Sequence, residues 1–273
     1  MTNPAKPLQR LAWRDGAMRE GTRIAAEEVP VAIVHDGATY AVMMASPVDL
    51  EDFAVGFSLT EGVIETPSEV EDLELVETEL GWVARLWLTK RSRDVLSARR
   101  RRLTGPAGCG LCGVESLSEA NKPARPVGEG ASLTPLALAE GFDAMSQQQT
   151  LGRLTRAVHA AAFLAPDGTL TVREDVGRHN ALDKLIGALA RQGIDASTGA
   201  ILMTSRVSVE LVQKAAMAGC ALLAAVSAPS TLAVKLADDA GMTMVAVARS
   251  DGFEVFSHPH RILIETEEQT RVA

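Results

Sequence analysis

The segment from residue 199 to residue 250 alternates regularly between short apolar runs and amphipathic runs. It reads as strand, helix, strand, helix, strand: GAILMTS, SVELVQKAAMAG, ALLAAVSA, STLAVKLADDAG and MTMVAVARS. The first two strands are apolar throughout, which is typical of parallel strands covered on both faces. Gly219 and Gly241 follow the two helices, at the position where helices commonly end in glycine. The pattern predicts a layered α/β domain.

Earlier segments extend this domain. AVHAAAFLAPDGTLTV predicts two strands around Pro166-Asp167-Gly168, and VGRHNALDKLIGALARQ has apolar residues at helical spacing. Thr134 and Pro135 predict the start of a further helix that ends in the polar run 147–149. Residues 121–135 hold three prolines and two glycines and predict a linker. We therefore expect a linker at 121–135 and an α/β domain over 136–273.

The N-terminal part, residues 1–120, predicts a smaller region that contains β-strands. VPVAIV and TYAVMMA flank the turn 35–38 and indicate a hairpin. Ser46 as N-cap and Pro47 at the first helical position predict a helix that ends before Gly62. WVARLWL, residues 82–88, predicts another strand with one apolar face.

Three strand ends of the α/β domain carry small, polar or cationic residues: 204–206, 227–230 and 248–252. In open α/β sheets ligands bind beyond the carboxyl ends of the strands, where helix N-termini present free N–H groups to anions. The clustering of the three ends favours a site for a phosphate-bearing ligand. For Ser205, Ser227 or Ser230 taken singly, helix capping explains the residue better.

The net charge of the chain limits the classes of molecule that it is expected to bind. The chain has 273 residues and a net charge of −8, which argues against general nucleic-acid binding. Seven basic residues against the single Asp94 lie between Lys90 and Arg102, leaving 20 basic and 34 acidic residues elsewhere. No segment has the pattern of a signal peptide or a membrane span, so we expect a cytoplasmic protein that does not bind membranes.

Cys109 and Cys112 form a CxxC pair between glycines in GPAGCGLCGVESL. The glycines also spell GxGxxG, but no apolar strand precedes them, as a dinucleotide fingerprint requires. A structural zinc needs four ligands, and the chain offers only Cys220 and scattered histidines besides this pair, so we expect no metal. Nearby arginines and a helix start would lower the pKa of a thiol here. The pair therefore favours thiolate chemistry, and its position away from an early βαβ unit favours sulfur transfer over disulfide exchange.

A second dense motif, REDVGRHNALDK, covers residues 173–184. Arg178 and His179 suit anion binding or proton transfer, or a structural role. Asp183 and Lys184 are expected to face solvent. In the C-terminal segment FEVFSHPHRI, His258 is interpreted either as a surface residue or as a residue at the edge of a ligand site. The sequence leaves the roles of Arg178, His179 and His258 open.

Taken together, the motifs resemble those of the FdhD/NarQ family. The resemblance covers roughly residues 25–262 and rests on EEVPVAIVHDG, VMMASPVDLEDFAVGFSLTEGVIE, GCGLCGVESL, EDVGRHNALDK and the order of the final α/β segments. It implies a cytidine-deaminase-like α/β core without the deaminase zinc, preceded by a smaller β-containing region. It also implies a sulfurtransferase that passes persulfide sulfur from a cysteine desulfurase to the molybdenum cofactor, needed for formate dehydrogenase activity.

By the same resemblance, Cys109 is similar to the persulfide-bearing cysteine and Cys112 to its partner. The stretch that resembles the site for the bis(molybdopterin guanine dinucleotide) form of the cofactor, with recognition of its GDP moiety, consists of Val247, Ala248, Arg249, Ser250, Asp251 and Gly252. The family pattern leads us to expect an aromatic or a larger apolar residue at position 247. The expected partners are the desulfurase, the dehydrogenase and the cofactor, and a homodimer is left open.

One alternative from another class of function remains. The chain would then be a chaperone that holds the guanine dinucleotide cofactor for formate dehydrogenase. Its two cysteines would form a regulatory disulfide and carry no sulfur.

Overall fold

The computed structural model describes residues 3–103 and 123–264 of the chain. The twelve strands of these ranges are β1 (Ala5–Arg14), β2 (Ala17–Ala26), β3 (Val29–His35), β4 (Ala38–Ala45), β5 (Val70–Thr78), β6 (Gly81–Leu88), β7 (His159–Leu164), β8 (Leu170–Asp175), β9 (Ala200–Met203), β10 (Leu222–Ala225), β11 (Thr243–Arg249) and β12 (Gly252–Ser257). The α-helices of the same ranges are α1 (Leu50–Thr60), α2 (Lys90–Leu103), α3 (Pro135–Gln148), α4 (Thr150–Thr155), α5 (Arg178–Gln192), α6 (Val209–Met217) and α7 (Thr231–Asp239). Short 3-10 helices cover Pro67–Glu69, Ala196–Thr198 and Pro259–Arg261.

A six-stranded sheet forms the larger layer, with the order β12-β11-β10-β9-β7-β8. Strands β9, β10 and β11 are parallel, and their apolar side chains are buried because α5, α6 and α7 cover one face and α3 covers the other. The predicted alternation of strands and helices is therefore confirmed, as is the strand pair β7 and β8. Thr134 caps α3 as predicted, since its hydroxyl accepts the N–H of Ala137 at 3.1 Å.

A four-stranded sheet with the order β4-β3-β6-β5 lies in the N-terminal region. Alternate residues of β3 and β6, together with Phe53 and Phe57 of α1, form a separate apolar core. The predicted hairpin β3–β4 and the apolar face of β6 are confirmed. The layered α/β core with a smaller β-containing N-terminal region is thus the observed fold.

Helices α1 and α5 join the two layers at very close range. A Cβ atom on Gly56 would lie 1.8 Å from the carbonyl oxygen of Asp183, and one on Gly187 would lie 1.9 Å from that of Asp52. Only glycine allows two helix backbones to approach this closely. The crossing fixes the small sheet and the large sheet to each other.

The expected start of α1 is wrong. The helix begins at Leu50, after Asp49 in a left-handed conformation, and Ser46 does not cap it. The Ser46 hydroxyl instead accepts the N–H of Val176 at 3.1 Å, and its N–H donates to Asp175 at 2.9 Å. A tertiary contact thus replaces the local cap, because Asp175 and Val176 offer Ser46 partners across the junction.

Several other elements were missed from the sequence, among them α4, β12 and three strands of the N-terminal region. Strands β1 and β2 form a separate two-stranded hairpin whose side chains are mostly exposed, and β5 is an acidic strand at the edge of the small sheet. Neither has a long apolar alternation. The residues of the expected linker that are described lie along the α/β layer: the N–H of Val127 donates to Ala240 and that of Leu133 to Arg261, both at 2.9 Å.

Candidate functional site

Two of the three predicted strand ends, 204–206 and 248–252, contribute residues to one cavity, and Val226, the residue before the third, lines it as well. Its volume is about 270 Å³, and it lies between α3 and the carboxyl ends of β9, β10 and β11. Thr204, Val226 and Arg249 line it from the three strands. Phe142 and Asp143 line it from α3. The ends of β9, β10 and β11 therefore meet at this cavity, although residues 227–230 do not line it, and both a cationic side chain, Arg249, and a hydroxyl side chain, Thr204, do.

Backbone carbonyls hold the guanidinium of Arg249 at this edge. Its Nη1 donates to the carbonyl of Ala248 at 2.8 Å and to that of Val226. Because both contacts use backbone acceptors, no carboxylate neutralises Arg249 through them. A fixed, charged guanidinium is suited to bind a phosphate group.

The strand that carries Arg249 is irregular just before it. Val247 has a φ of +55°, which is unusual for a β-branched residue, and the pairing of β11 with β12 shifts between Ala246 and Arg249. Such bulges redirect side chains and are common beside functional sites. The shift leaves Ala248 buried, whereas the four residues that follow are exposed: Arg249, Ser250, Asp251 and Gly252.

A second cavity of about 700 Å³ lies between the two regions of the molecule. His179, Glu210 and Lys214 line it. The Nε2 of His179 is 3.5 Å from the Ser208 hydroxyl and 3.8 Å from the Glu210 carboxylate. Burial, with a further effect of Arg178, lowers the pKa of His179 to about 4, and a hydrogen bond from Ser208 lowers the pKa of Glu210. At neutral pH the imidazole is therefore uncharged.

Lys214, which lines this cavity, forms an ion pair with the buried Asp183. The Lys214 ammonium donates to both carboxylate oxygens of Asp183 at 3.0 Å and to Thr60 at 2.9 Å. Burial raises the pKa of Asp183, and the charge of Lys214 opposes that shift. The expectation that Asp183 faces solvent is wrong, because its side chain is needed to pair with Lys214.

Lys184 is also buried, so the expectation that Lys184 faces solvent is wrong as well. Its ammonium lies 2.6 Å from the Asp175 carboxylate, and both side chains are fully buried. Lys184 also donates to the carbonyl of Ser46 at 2.9 Å. Asn180 completes the cluster by donating to Asp175 at 2.9 Å and to the carbonyl of Met44 at 2.8 Å. This part of the 173–184 motif is a polar junction that fastens β4 to α5.

In the tail, His258 and Arg261 have different environments. The Nε2 of His258 lies 3.3 Å from the Asp238 carboxylate, in a partly exposed position. Arg261 is buried and donates to the Thr243 hydroxyl and to the carbonyls of Gly128 and Gly241, each at 2.9 Å. Arg261 therefore holds the segment around residue 128 against the large sheet.

Cys109 and Cys112 lie outside the described residues, as do the side chains of Arg99 to Arg102 in the basic run. Cys220 is fully buried, and burial raises the pKa of its thiol to about 11. Residues 3–103 and 123–264 contain no cluster of three or more His, Cys, Asp or Glu side chains arranged to hold a metal ion. Within the same ranges, no helix has the length and apolar character needed to cross a membrane.

The fold and the strand-end cavity define an α/β protein with a candidate anion site at the sheet edge. Comparison with known proteins narrows this class. The FdhD/NarQ family model matches residues 26–263. The chain therefore belongs to the FdhD/NarQ family.

Similar proteins match over nearly the whole chain. A protein of Agrobacterium fabrum named sulfur carrier protein FdhD is 50% identical over 259 residues, which cover 94% of this chain and 96% of that protein. A protein of the same name from Cupriavidus necator is 47% identical, covering 92% and 87%. A crystal structure from Desulfotalea psychrophila, described as that of a formate dehydrogenase accessory protein, has a TM-score of 0.77 and 25% identity, covering 96% of this chain and 100% of that one.

Proposed function

We propose that this chain is a sulfurtransferase that accepts sulfur from a cysteine desulfurase as a persulfide on Cys109. It passes the sulfur to the molybdenum cofactor in its bis(molybdopterin guanine dinucleotide) form, which formate dehydrogenase needs for activity. The observation that carries the proposal is the glycine-flanked CxxC in a chain that is 50% identical to a sulfur carrier protein over 94% of its length. The reduced thiols that this chemistry needs fit a cytoplasmic protein.

The first step exchanges one S–S bond for another. The Cys109 thiolate attacks the terminal sulfur of the desulfurase persulfide, the S–S bond of the desulfurase breaks, and its cysteine leaves as a thiolate. Cys109 then carries the persulfide, and no net oxidation has occurred. The seven basic residues between Lys90 and Arg102 precede Cys109 closely in the sequence, and nearby cations favour the thiolate form.

The second step releases the sulfur as sulfide. The Cys112 thiolate attacks the Cys109 sulfur, a Cys109–Cys112 disulfide forms, and the terminal sulfur leaves with the electron pair of the broken S–S bond. The two cysteines are thereby oxidised and the terminal sulfur is reduced to sulfide, which binds molybdenum. A cellular dithiol must then reduce the disulfide before the next cycle.

In this proposal the molybdenum cofactor binds at the strand-end cavity between α3 and the ends of β9, β10 and β11. The guanidinium at its rim suits the diphosphate of a guanine dinucleotide, since arginine makes strong charge-assisted hydrogen bonds to phosphate oxygens. Residues 247–252, which resemble the family's cofactor-binding stretch, form the end of β11 and the turn into β12. The 270 Å³ cavity takes part of the dinucleotide, and the remainder lies over the exposed residues 249–252.

Sulfur loading tests the assignment of Cys109. The wild-type chain, Cys109→Ala, Cys112→Ala and Cys220→Ala are incubated with a cysteine desulfurase and ³⁵S-labelled cysteine. We expect label on the wild type, on Cys112→Ala and on Cys220→Ala, and its loss from Cys109→Ala. Cys220 is the matched control, because its buried thiol with a pKa of about 11 stays protonated and inaccessible. Equal labelling of Cys109→Ala would refute the assignment.

The competing function is a cofactor-binding chaperone whose CxxC is a regulatory disulfide. The Cys109→Ala/Cys112→Ala double variant separates the two functions. A sulfurtransferase loses its ability to activate formate dehydrogenase while still binding GDP. A chaperone without sulfur transfer keeps both properties in the double variant.

A further inference from the structure

The cavity of about 700 Å³ between the two regions, the interlayer cavity, is a near neighbour of the strand-end cavity. After β9, Thr204 lines the strand-end cavity and Val209 lines the interlayer cavity. After β10, Val226 and Leu232 divide in the same way. Five extended residues span at most about 18 Å. The Cα atoms of Thr204 and Val209 are therefore no farther apart than this, and one elongated ligand can reach both cavities.

The interlayer cavity has a charge that disfavours phosphate. Among the described residues, its charged lining consists of Glu61, Glu210, Arg125 and Lys214. The ammonium of Lys214 is neutralised, since it donates to both carboxylate oxygens of Asp183 at 3.0 Å. The two glutamates therefore face the single remaining cation, Arg125. An added phosphate would be repelled by this surplus of negative charge.

The hydrogen-bonding groups of this cavity suit a ligand that carries N–H groups. Glu210 is ionised at neutral pH, and a carboxylate accepts two N–H bonds side by side. The imidazole of His179 lies 3.8 Å from this carboxylate and is uncharged, so it carries one N–H donor and one acceptor nitrogen. A matching ligand presents two neighbouring N–H groups to Glu210 and a carbonyl oxygen to His179.

Apolar side chains from both regions of the molecule line the rest of the cavity. Met43 of β4 and Phe57 of α1 come from the N-terminal region, and Met217 of α6 and Leu232 of α7 come from the α/β layer. Aromatic and methionine side chains pack well against flat rings. The volume lies within the range of about 300–1,000 Å³ that small-molecule sites have. The lining therefore suits a flat, uncharged ring with polar groups along one edge.

We propose that the interlayer cavity binds the pterin ring of the molybdenum cofactor. Glu210 accepts hydrogen bonds from the amino group and the adjacent ring N–H of the pterin, and His179 donates to the neighbouring ring carbonyl. This inference rests on the proposed function, which supplies the identity of the cofactor. It adds a second, chemically distinct subsite to the phosphate site at Arg249.

The charges of the two cavities assign the two ends of the cofactor. Guanine presents the same pair of N–H groups and the same carbonyl as a pterin, so hydrogen bonding alone would accept either ring. The guanine is joined through its ribose to the diphosphate, which suits the guanidinium of Arg249 at the strand-end cavity. The pterin is left for the interlayer cavity, where the surplus of negative charge disfavours the phosphates.

Fluorescence titration of 6-hydroxymethylpterin with the full chain tests the subsite. We expect binding with a Kd below about 100 µM. Saturating GDP should change this Kd by less than about twofold, because GDP occupies the other cavity. Absence of pterin binding at this chain concentration would overturn the proposal. Complete displacement of the pterin by GDP would also overturn it, because the ring would then occupy the guanine site.

Two variants locate the bound ring. Glu210→Gln replaces one of the two acceptor oxygens by an amide and should weaken pterin binding about tenfold or more. Leu232→Trp fills the cavity from a position that is 48% exposed, and should weaken pterin binding to a similar degree. Both should bind GDP like the wild type. Glu79→Gln, an exposed acid in the turn between β5 and β6, is the matched control and should bind the pterin normally.

The stability of the variants separates a lost contact from misfolding. The Glu210 side chain is 60% exposed, so the urea midpoint of Glu210→Gln should stay close to that of the wild type. Unchanged pterin affinity in Glu210→Gln or in Leu232→Trp would overturn the proposed subsite. A chain that takes sulfur on Cys109 and binds GDP but no pterin would refute this inference alone. A chain that binds the pterin but takes no sulfur would refute the proposed function instead.

Discussion

Two charged segments of the α/β layer look alike in sequence but have opposite environments. Residues 173–184 and residues 247–252 both combine arginine, aspartate and glycine near a strand end. In the first, Asp175 and Lys184 are fully buried and bonded to each other. In the second, Arg249 is exposed at the rim of a cavity and is held by backbone carbonyls. Charge density therefore does not distinguish a structural junction from a binding surface, whereas burial and the identity of the partners do.

Removing one charge of the junction should have the largest effect on stability. Lys184→Met leaves the buried Asp175 carboxylate without its cation, and broken buried ion pairs cost about 3–5 kcal/mol. Urea unfolding should show a loss of this size. Lys235→Met is the matched control: it breaks an exposed pair with Asp239, and its effect should stay below about 1 kcal/mol. A comparable loss in both variants would contradict the assignment of the junction.

The helix crossing beside the junction should be nearly as sensitive. Gly187→Ala places a methyl group 1.9 Å from the carbonyl oxygen of Asp52, so α1 and α5 must separate. We expect a loss of about 2–3 kcal/mol in the free energy of unfolding. Gly21→Ala, where nothing lies within 4 Å, should change it by less than about 0.5 kcal/mol. An unchanged Gly187→Ala would show that the two layers are not fixed by this contact.

A substitution in the second segment, residues 247–252, should change GDP binding and leave the folding stability unchanged. If Arg249 contacts the cargo phosphates, Arg249→Ala removes charge-assisted hydrogen bonds and weakens GDP binding about tenfold to a hundredfold, or about 1.5–3 kcal/mol. Its urea midpoint should stay close to that of the wild type, since Arg249 is exposed. Arg153→Ala, an exposed arginine on α4, controls for the loss of a surface charge. Undiminished GDP affinity in Arg249→Ala would remove the phosphate role.

The smallest expected effect concerns His179, which belongs to the first segment and lines the cavity of about 700 Å³. Its folded pKa of about 4 is below its ordinary value of 6.5, so the unfolded chain binds the proton more readily between those values. The contribution of the uncharged His179 imidazole to folding stability is complete above about pH 6.5 and is lost as the pH falls towards 4. Because the side chain is 31% exposed, we expect a loss of about 1 kcal/mol after allowance for solvent screening.

His179→Gln isolates this effect from other titrating groups. The difference between the wild-type and variant unfolding free energies should be constant above about pH 6.5 and should change between pH 6.5 and pH 4. A pH-independent difference would show that the imidazole titrates normally in the folded chain.

The parts of the fold that the sequence predicted have strong local signals. Strands β9 and β10 are apolar throughout because both faces are covered, and Thr134 is followed by Pro135 at a helix start. The convergence of three strand ends also follows from the rule that parallel strands end at one edge. These features do not depend on distant residues.

The parts that the sequence did not predict depend on contacts across the molecule. Ser46 has the local pattern of a helix cap, but Val176, 130 residues away, uses its hydroxyl. Asp183 belongs to a charged motif, and only its contacts with Thr60 and Lys214 explain its burial. The hairpin β1–β2 has exposed residues on both faces and so lacks the alternation that marks a half-buried strand.

In the proposed function the CxxC pair carries the sulfur, and the buried thiol of Cys220 takes no part. Treatment of the wild-type chain with a cysteine desulfurase and cysteine, followed by peptide-resolved mass spectrometry, tests this most directly. We expect an adduct of about +32 Da, one sulfur atom, on the peptide that contains Cys109. The peptide with Cys220 should remain unmodified, as its burial requires. An adduct confined to Cys220, or no adduct on the Cys109 peptide, would contradict sulfur transfer through Cys109.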